Sequence, residues 1–150
     1  MPRFETTRTV KHSAEVMFNL VADVERYPEF VPMCEALIVR RRNEAPDGVV
    51  TLLADMSIGY KMIRETFTTR VELDRTANQI RVAYVDGPFK HLENRWSFAD
   101  TPTGADVKFF IDYEFKSRTF QMLAGAVFEK VFRKMAEAFE ARADQRARQA

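Results

Sequence analysis

In 150 residues the chain carries 23 basic and 22 acidic side chains, a net charge of +1, and 46% of its residues are hydrophobic. That length and balance fit one globular domain with a core of its own, and they exclude a disordered chain and the strongly basic footprint of a dedicated DNA or RNA binder. A single cysteine, Cys34, leaves no intramolecular disulfide and no cysteine-based metal cluster, so a reducing, cytoplasmic setting is expected.

The opening MPRFETTRTV lacks the apolar run of a secretory signal, and no stretch approaches the ~18–20 apolar residues of a membrane span. Arg3 to Lys11, rich in Thr and Val, reads as a strand. Ser13 then offers a helix N-cap, and AEVMFNLVADV places Val16, Met17, Leu20, Val21 and Val24 at helical spacing. RYPEFVPMC (26–34) interrupts that helix: Pro28 and Pro32 permit at most a turn or so of a second one, because proline also restricts the residue before it.

From Glu35 the chain turns to strands: Ala36–Arg42, Val49–Ile58, Met62–Asp74, Gln79–Asp86, Leu92–Ala99 and Ala105–Lys116, parted by turn signals such as APDG, DGP and DTPTG. Phe67, Thr69, Val71 and Leu73 share one face of their strand, as do Leu92, Asn94, Trp96 and Phe98, and Val107, Phe109, Ile111, Tyr113 and Phe115. Such alternation predicts a largely antiparallel sheet with one buried face. A long helix closes the chain, its apolar stripe running from Phe120 through Val127, Phe128, Val131, Phe132 and Met135 to Phe139. Residues 141–150, polar throughout their last turns, are expected to fray. The whole chain, 1–150, reads as one domain in which a curved meander grips the C-terminal helix, and volume the helix leaves unfilled becomes an apolar cavity closed at one end by residues 26–34.

No GxSxG, HExxH, GxGxxG or P-loop pattern occurs, and with only His12 and His91 a histidine-rich metal site is hard to build. Both histidines read as surface residues. Arg8, Glu65, Asn94 and Tyr113 fall on the inward parity, where each needs an internal partner, solvent or a ligand's polar end. No catalytic residue and no metal ligand is assigned. Methionines near strand and helix ends suit an adaptable lining. Arg40, Arg41 and Arg42 form the one basic run, a solvated strand end or a contact for an anionic membrane or ribosomal RNA. Cys34 reads as a small core residue.

LVADVERYPEFVPMC (20–34), ETFTTRVEL (65–73), DGPFKHLENRWSF (86–98) and the closing helix resemble the START-like proteins that include coenzyme Q-binding proteins and bacterial ribosome-association toxins, from about Phe4 to Ala141. The resemblance implies an α+β helix-grip fold: a seven-stranded curved antiparallel sheet around a long C-terminal helix, with two short helices after the first strand. It implies a lipid-binding carrier or chaperone and not an enzyme, holding ubiquinone in an apolar cavity in support of respiration and ubiquinone biosynthesis. Ubiquinone is then cargo, no cofactor is called for, and the protein meets the inner-membrane surface transiently and binds no DNA. The family's motif maps onto Tyr27, Pro28, Phe30, Pro32 and Cys34, with Met33 departing from the aromatic often found before the cysteine. The expected ligand-binding set is Tyr27, Pro28, Phe30, Val31, Pro32 and Met33 of the insert, with Phe67, Phe89, Trp96, Tyr113, Leu123 and Val127 from sheet and helix. The toxin members share these motifs and imply the alternative, a protein that binds the large ribosomal subunit and blocks subunit joining. A polyketide cyclase-type enzyme would follow from fold analogy alone.

Overall fold

The computed structural model describes residues 3–60 and 62–149. Seven strands, β1 (Arg3–Val10), β2 (Cys34–Glu44), β3 (Val50–Tyr60), β4 (Ile63–Asp74), β5 (Gln79–Asp86), β6 (Phe89–Thr101) and β7 (Gly104–Phe115), form one sheet in the order β1-β7-β6-β5-β4-β3-β2. Every neighbouring pair is antiparallel. Helix α1 (Ala14–Ala22), a 3-10 segment (Val24–Glu29) and the long helix α2 (Arg118–Gln149) complete the chain. This is the helix-grip architecture that the alternation and the resemblance predict.

The strand ends run beyond the alternating core. β2 begins at Cys34 and β6 at Phe89 because ladder pairing persists there, Cys34 opposite Ile58 and Phe89 opposite Phe115, although bulges shift the register beside both. Bulges also sit between Val39 and Arg41 and between Thr68 and Thr69, and such insertions bend and twist the strands that carry them. The inner face is buried as its period-2 pattern requires: Phe67, Thr69, Val71 and Leu73 on β4, and Val107, Phe109, Ile111, Tyr113 and Phe115 on β7.

Since β1 pairs with β7 and not with β2, the chain must cross from one sheet edge to the other before the meander begins. α1 and the 3-10 segment make that crossing. The Ser13 hydroxyl accepts from the Val16 N–H and starts α1, which lays Met17, Phe18, Leu20 and Val21 against the core. Phe18 meets Phe98 edge-on, ring centres 5.6 Å apart. The DGP turn between β5 and β6 has a steric reason as well. Gly87 holds φ at +144°, and a Cβ there would lie 2.6 Å from the Cβ of Phe67.

α2 has 32 residues, about 48 Å at the rise of an α-helix. Phe128 packs on Phe115 and Tyr113, Phe132 on Phe4 and Phe109, and Phe139 on Trp96. Residues 141–149 do not fray. Ala143 is buried, Arg142 pairs with Glu29, and the Asp144 carboxylate meets His12 Nε2 at 2.6 Å, so tertiary contacts hold a stretch whose composition alone would let it go. His12 is accordingly a largely buried residue and not the surface histidine its sequence position suggests. None of the described helices is long and apolar enough to cross a membrane.

The hydrogen bond from His12 holds the Asp144 carboxyl below its usual range. A carboxyl depressed in the folded state contributes stability that is present above its unfolded pKa of about 3.9 and is lost as pH falls through the folded value. Asp144→Asn is therefore expected to flatten the acid limb of thermal stability below about pH 4, with the change followed by melting curves from pH 7 down to 3. An acid limb that keeps its wild-type slope would show that the His12–Asp144 pair does not couple the helix end to folding.

Candidate functional site

The inner face of seven strands is wider than one helix. α2 lies over β1 and β7, where its phenylalanines meet Phe4, Phe109, Tyr113 and Phe115, Phe139 reaches Trp96 on β6, and the inner faces of β3 to β5 stand away from it. Between them is a cavity of about 150 Å³. Its wall is built from Leu37, Met56, Phe67, Ile80, Val82, Phe89, Leu92 and Trp96 of the sheet, Phe128, Val131, Phe132 and Met135 of α2, and Tyr27, Val31, Pro32 and Met33 of the crossing segment. No Asp, Glu, Lys, Arg or His is among the described residues lining it. A charge would lose its hydration there with nothing to replace it.

Of the residues expected to bind a ligand, Tyr27, Val31, Pro32, Met33, Phe67, Phe89, Trp96 and Tyr113 line this cavity. Pro28 and Phe30 do not. Pro28 lies exposed inside the 3-10 segment. Phe30 stands one 3-10 turn beyond Tyr27, stacks edge-on against Phe139 at 5.1 Å, and is covered by the Arg142 guanidinium 5.0 Å from its ring centre. In a helix of three residues per turn Tyr27 and Phe30 share a face, so both reach Phe139 while only Tyr27 extends to the cavity. Val127 is half-buried beside the core, and its place in the wall is taken by Phe128 and Val131. Leu123 belongs to α2, but its side chain lies outside the described residues.

The crossing segment is fixed by specific bonds. The Tyr27 hydroxyl donates to the Val21 carbonyl (2.5 Å), and burial pushes its pKa upward. Glu29 bonds to Arg142, which holds its carboxyl below the usual range. Met33 has φ of +68°, a left-handed conformation uncommon for a residue with a side chain, and its carbonyl accepts from the Gly59 N–H at 2.9 Å. Strained backbone of this kind persists where surrounding contacts over-determine it. Cys34, next in sequence, is buried, with its thiol pushed up to about 11 by desolvation, so it is an inert core group and not a nucleophile.

Besides Tyr27, whose hydroxyl is bonded to Val21, the polar side chains Thr69, Asn94 and Tyr113 break the apolar wall. Asn94 is satisfied internally, its Nδ2 donating to the Phe110 carbonyl (2.8 Å) and its Oδ1 accepting from Trp96 Nε1 (3.1 Å). Arg8, also on the inward parity, reaches Glu140 of α2 at 2.5 Å. On the outer face His91 pairs with Asp112 at 3.0 Å, and Arg40 pairs with Asp55 at 2.5 Å. Among the described residues no group of three or more His, Cys, Asp or Glu side chains is placed to hold a metal ion. Inward alternation on β2, β3, β5 and β6 was the signal that could have added Leu37, Met56, Val82 and Leu92 to the expected lining.

A curved sheet gripping a helix around an uncharged cavity has counterparts among known proteins. The model of the polyketide cyclase/dehydrase and lipid transport family matches residues 10–140. The chain belongs to that family. Among curated relatives, the ribosome association toxin RatA of Escherichia coli strain K12 is 39% identical over 147 residues, covering 95% of this chain and 87% of the relative. The mitochondrial coenzyme Q-binding protein COQ10 homolog B of Xenopus laevis is 30% identical over 145 residues, and the match covers 93% of this chain but 57% of that one. Among solved structures, an 18 kDa protein of Caulobacter crescentus shares 34% identity at a TM-score of 0.82, covering 97% of each chain. A START superfamily protein of Mycobacterium smegmatis shares the fold at 22% identity and a TM-score of 0.81, covering 97% of this chain and 99% of that one. The relatives carry the names of binding proteins and toxins, whereas the wider set of fold neighbours also contains aromatase/cyclases.

Phe139 joins the insert to the sheet, touching Tyr27, Phe30 and Trp96 while fully buried. Phe139→Ala is expected to cost about 3–5 kcal/mol of stability. Phe30→Ala, at a partly exposed site, should cost under half as much, with urea titrations reading both. Equal losses would mean that the insert and the helix form one indivisible core.

Proposed function

We propose that this protein is a carrier that holds the ring of an isoprenoid quinone, ubiquinone or a close relative, in the cavity between sheet and helix. The observation that supports it most is the cavity itself: uncharged, rich in aromatic side chains and methionine, and walled on one side by Tyr27, Val31, Pro32 and Met33. Its about 150 Å³ suits one six-membered ring, since an engineered cavity of that size accepts benzene. The polyprenyl tail is longer than this space and requires an outlet or displacement of the surrounding side chains. The 30% identity to a protein named for coenzyme Q binding agrees with this reading. Exchange at a membrane surface is part of it. Met62 at the β3–β4 turn is 97% exposed and Met122 in the first turns of α2 is 84% exposed, two flexible apolar side chains available to a lipid interface. The quinone is cargo, and no chemical step is assigned to the protein.

Trp96, the one tryptophan, lines the cavity and supplies the readout. Titration with decylubiquinone is expected to quench its fluorescence saturably. Ala54→Leu, which adds volume to a buried wall position, should weaken binding at least about tenfold, the scale of overpacking by 1–3 kcal/mol, while the protein still melts cooperatively. Absence of saturable quenching by the wild-type protein, with no quinone in lipid extracts of the purified material, would overturn the carrier reading.

A second reading has its own support. The 39% identity to a protein named a ribosome association toxin exceeds the 30% to the coenzyme Q relative, and it covers most of both chains. In that reading the protein binds the large ribosomal subunit. Co-sedimentation with purified large subunits at low salt is the expected result, weakening as salt rises. Absence of the protein from the subunit fraction at low salt would remove this reading.

A further inference from the structure

Two hydroxyls in the cavity wall have no use in the fold. Tyr113 on β7 is 3% exposed and Thr69 on β4 is 5% exposed, and both line the cavity. Neither hydroxyl is hydrogen-bonded to another described residue, and neither oxygen is shut off from free space, so both open on the cavity. Their neighbours behave differently: Asn94 is bonded to Phe110 and Trp96, Thr68 donates to Asp55, and the Tyr84 hydroxyl accepts from the Phe89 N–H. Turning a hydroxyl onto an apolar cavity without a protein partner is unfavourable, because little there replaces the hydrogen bonds it makes in water. Phenylalanine and valine would fill the same volumes without that cost. Burial, with the Glu129 carboxylate as a lesser cause, pushes the Tyr113 phenol up to about 12, so it stays protonated and able to donate throughout the physiological range.

We infer that the Tyr113 hydroxyl, with Thr69 as a second donor, reads a hydrogen-bond acceptor on the cargo, so the cavity selects an uncharged ring bearing a carbonyl or ether oxygen over a plain hydrocarbon of equal size. The absence of charged groups from the described lining excludes carboxylate and phosphate head groups, which would enter unpaired. The two hydroxyls stand on strands separated by β5 and β6, so they approach a ring from different sides and not as one cluster. This inference rests on the carrier reading and adds to it the residues that decide which apolar molecules are kept.

The test compares decylubiquinone with decylbenzene, which has the same chain on a ring without oxygen, by isothermal titration calorimetry on the full chain. Wild-type protein is expected to prefer decylubiquinone. Tyr113→Phe should weaken decylubiquinone about five- to tenfold, the scale of one hydrogen bond, and leave decylbenzene unchanged. Thr69→Val should do the same to a smaller extent. Melting temperatures of the ligand-free variants separate binding from folding: a hydroxyl without a structural partner can be removed with no loss, or with a gain. A lowered melting temperature for Tyr113→Phe would show a structural bond and overturn the inference. It would also be overturned if decylubiquinone bound wild type and Tyr113→Phe equally, an outcome that leaves the carrier reading standing. If neither compound bound the wild-type protein, both readings would fall together.

Discussion

A seven-stranded sheet curved by bulges presents more apolar surface on its inner face than one helix can cover, and the rest of the molecule answers that mismatch. α2 closes on the β1–β7 side, where Phe128, Phe132 and Phe139 interlock with phenylalanines and Trp96 of the sheet. The β3–β5 side is left to the crossing segment, which has to pass that way because β1 and β2 occupy opposite edges. The cavity is therefore a product of topology as much as of side-chain choice. Burying apolar area drives the sheet and helix together, and the geometry of a single cylinder against a wide trough keeps them from meeting everywhere.

The insert supplies one wall of this leftover space. Regular structure cannot continue through two prolines, but the chain still has to supply apolar side chains inward and satisfy its own polar groups. It does so with a 3-10 turn, a tyrosine bonded to the end of α1, and a left-handed residue at Met33 held by Gly59. Phe30 and Arg142 then fasten the outside of the insert to the last third of α2. Cavity wall and helix end are thus one mechanical unit.

Most of this architecture could be read from the sequence where a side-chain period existed to read. The alternation on β4, β6 and β7 named the inner face correctly, and the 3–4 spacing named the stripe of α2. Side chains whose roles depend on distant partners were not legible. Ala143 and Asp144 sit in a polar tail and are ordered by the core and by His12, 132 residues earlier. Phe30 and Pro28 carry the same motif as Tyr27 and Pro32, yet Pro28 turns to solvent and Phe30 is taken up by Phe139 and Arg142. Thr69 and Asn94 both appear as polar breaks on an inward face, and only their hydrogen bonds, present for one and missing for the other, tell them apart.

The arginine run 40–42 has a consequence of another kind. β2 is one of the two edge strands, bulged at two places, and Ile38 on it is 62% exposed. An open edge with free N–H and C=O groups is a template on which a neighbouring molecule can add its own strand. Three consecutive charges and a broken register spoil that template, since a second copy would bring like charges face to face with no continuous ladder to offset them. The edge of a sheet with an unfilled apolar inner face is thus guarded by residues that stand outside the cavity wall.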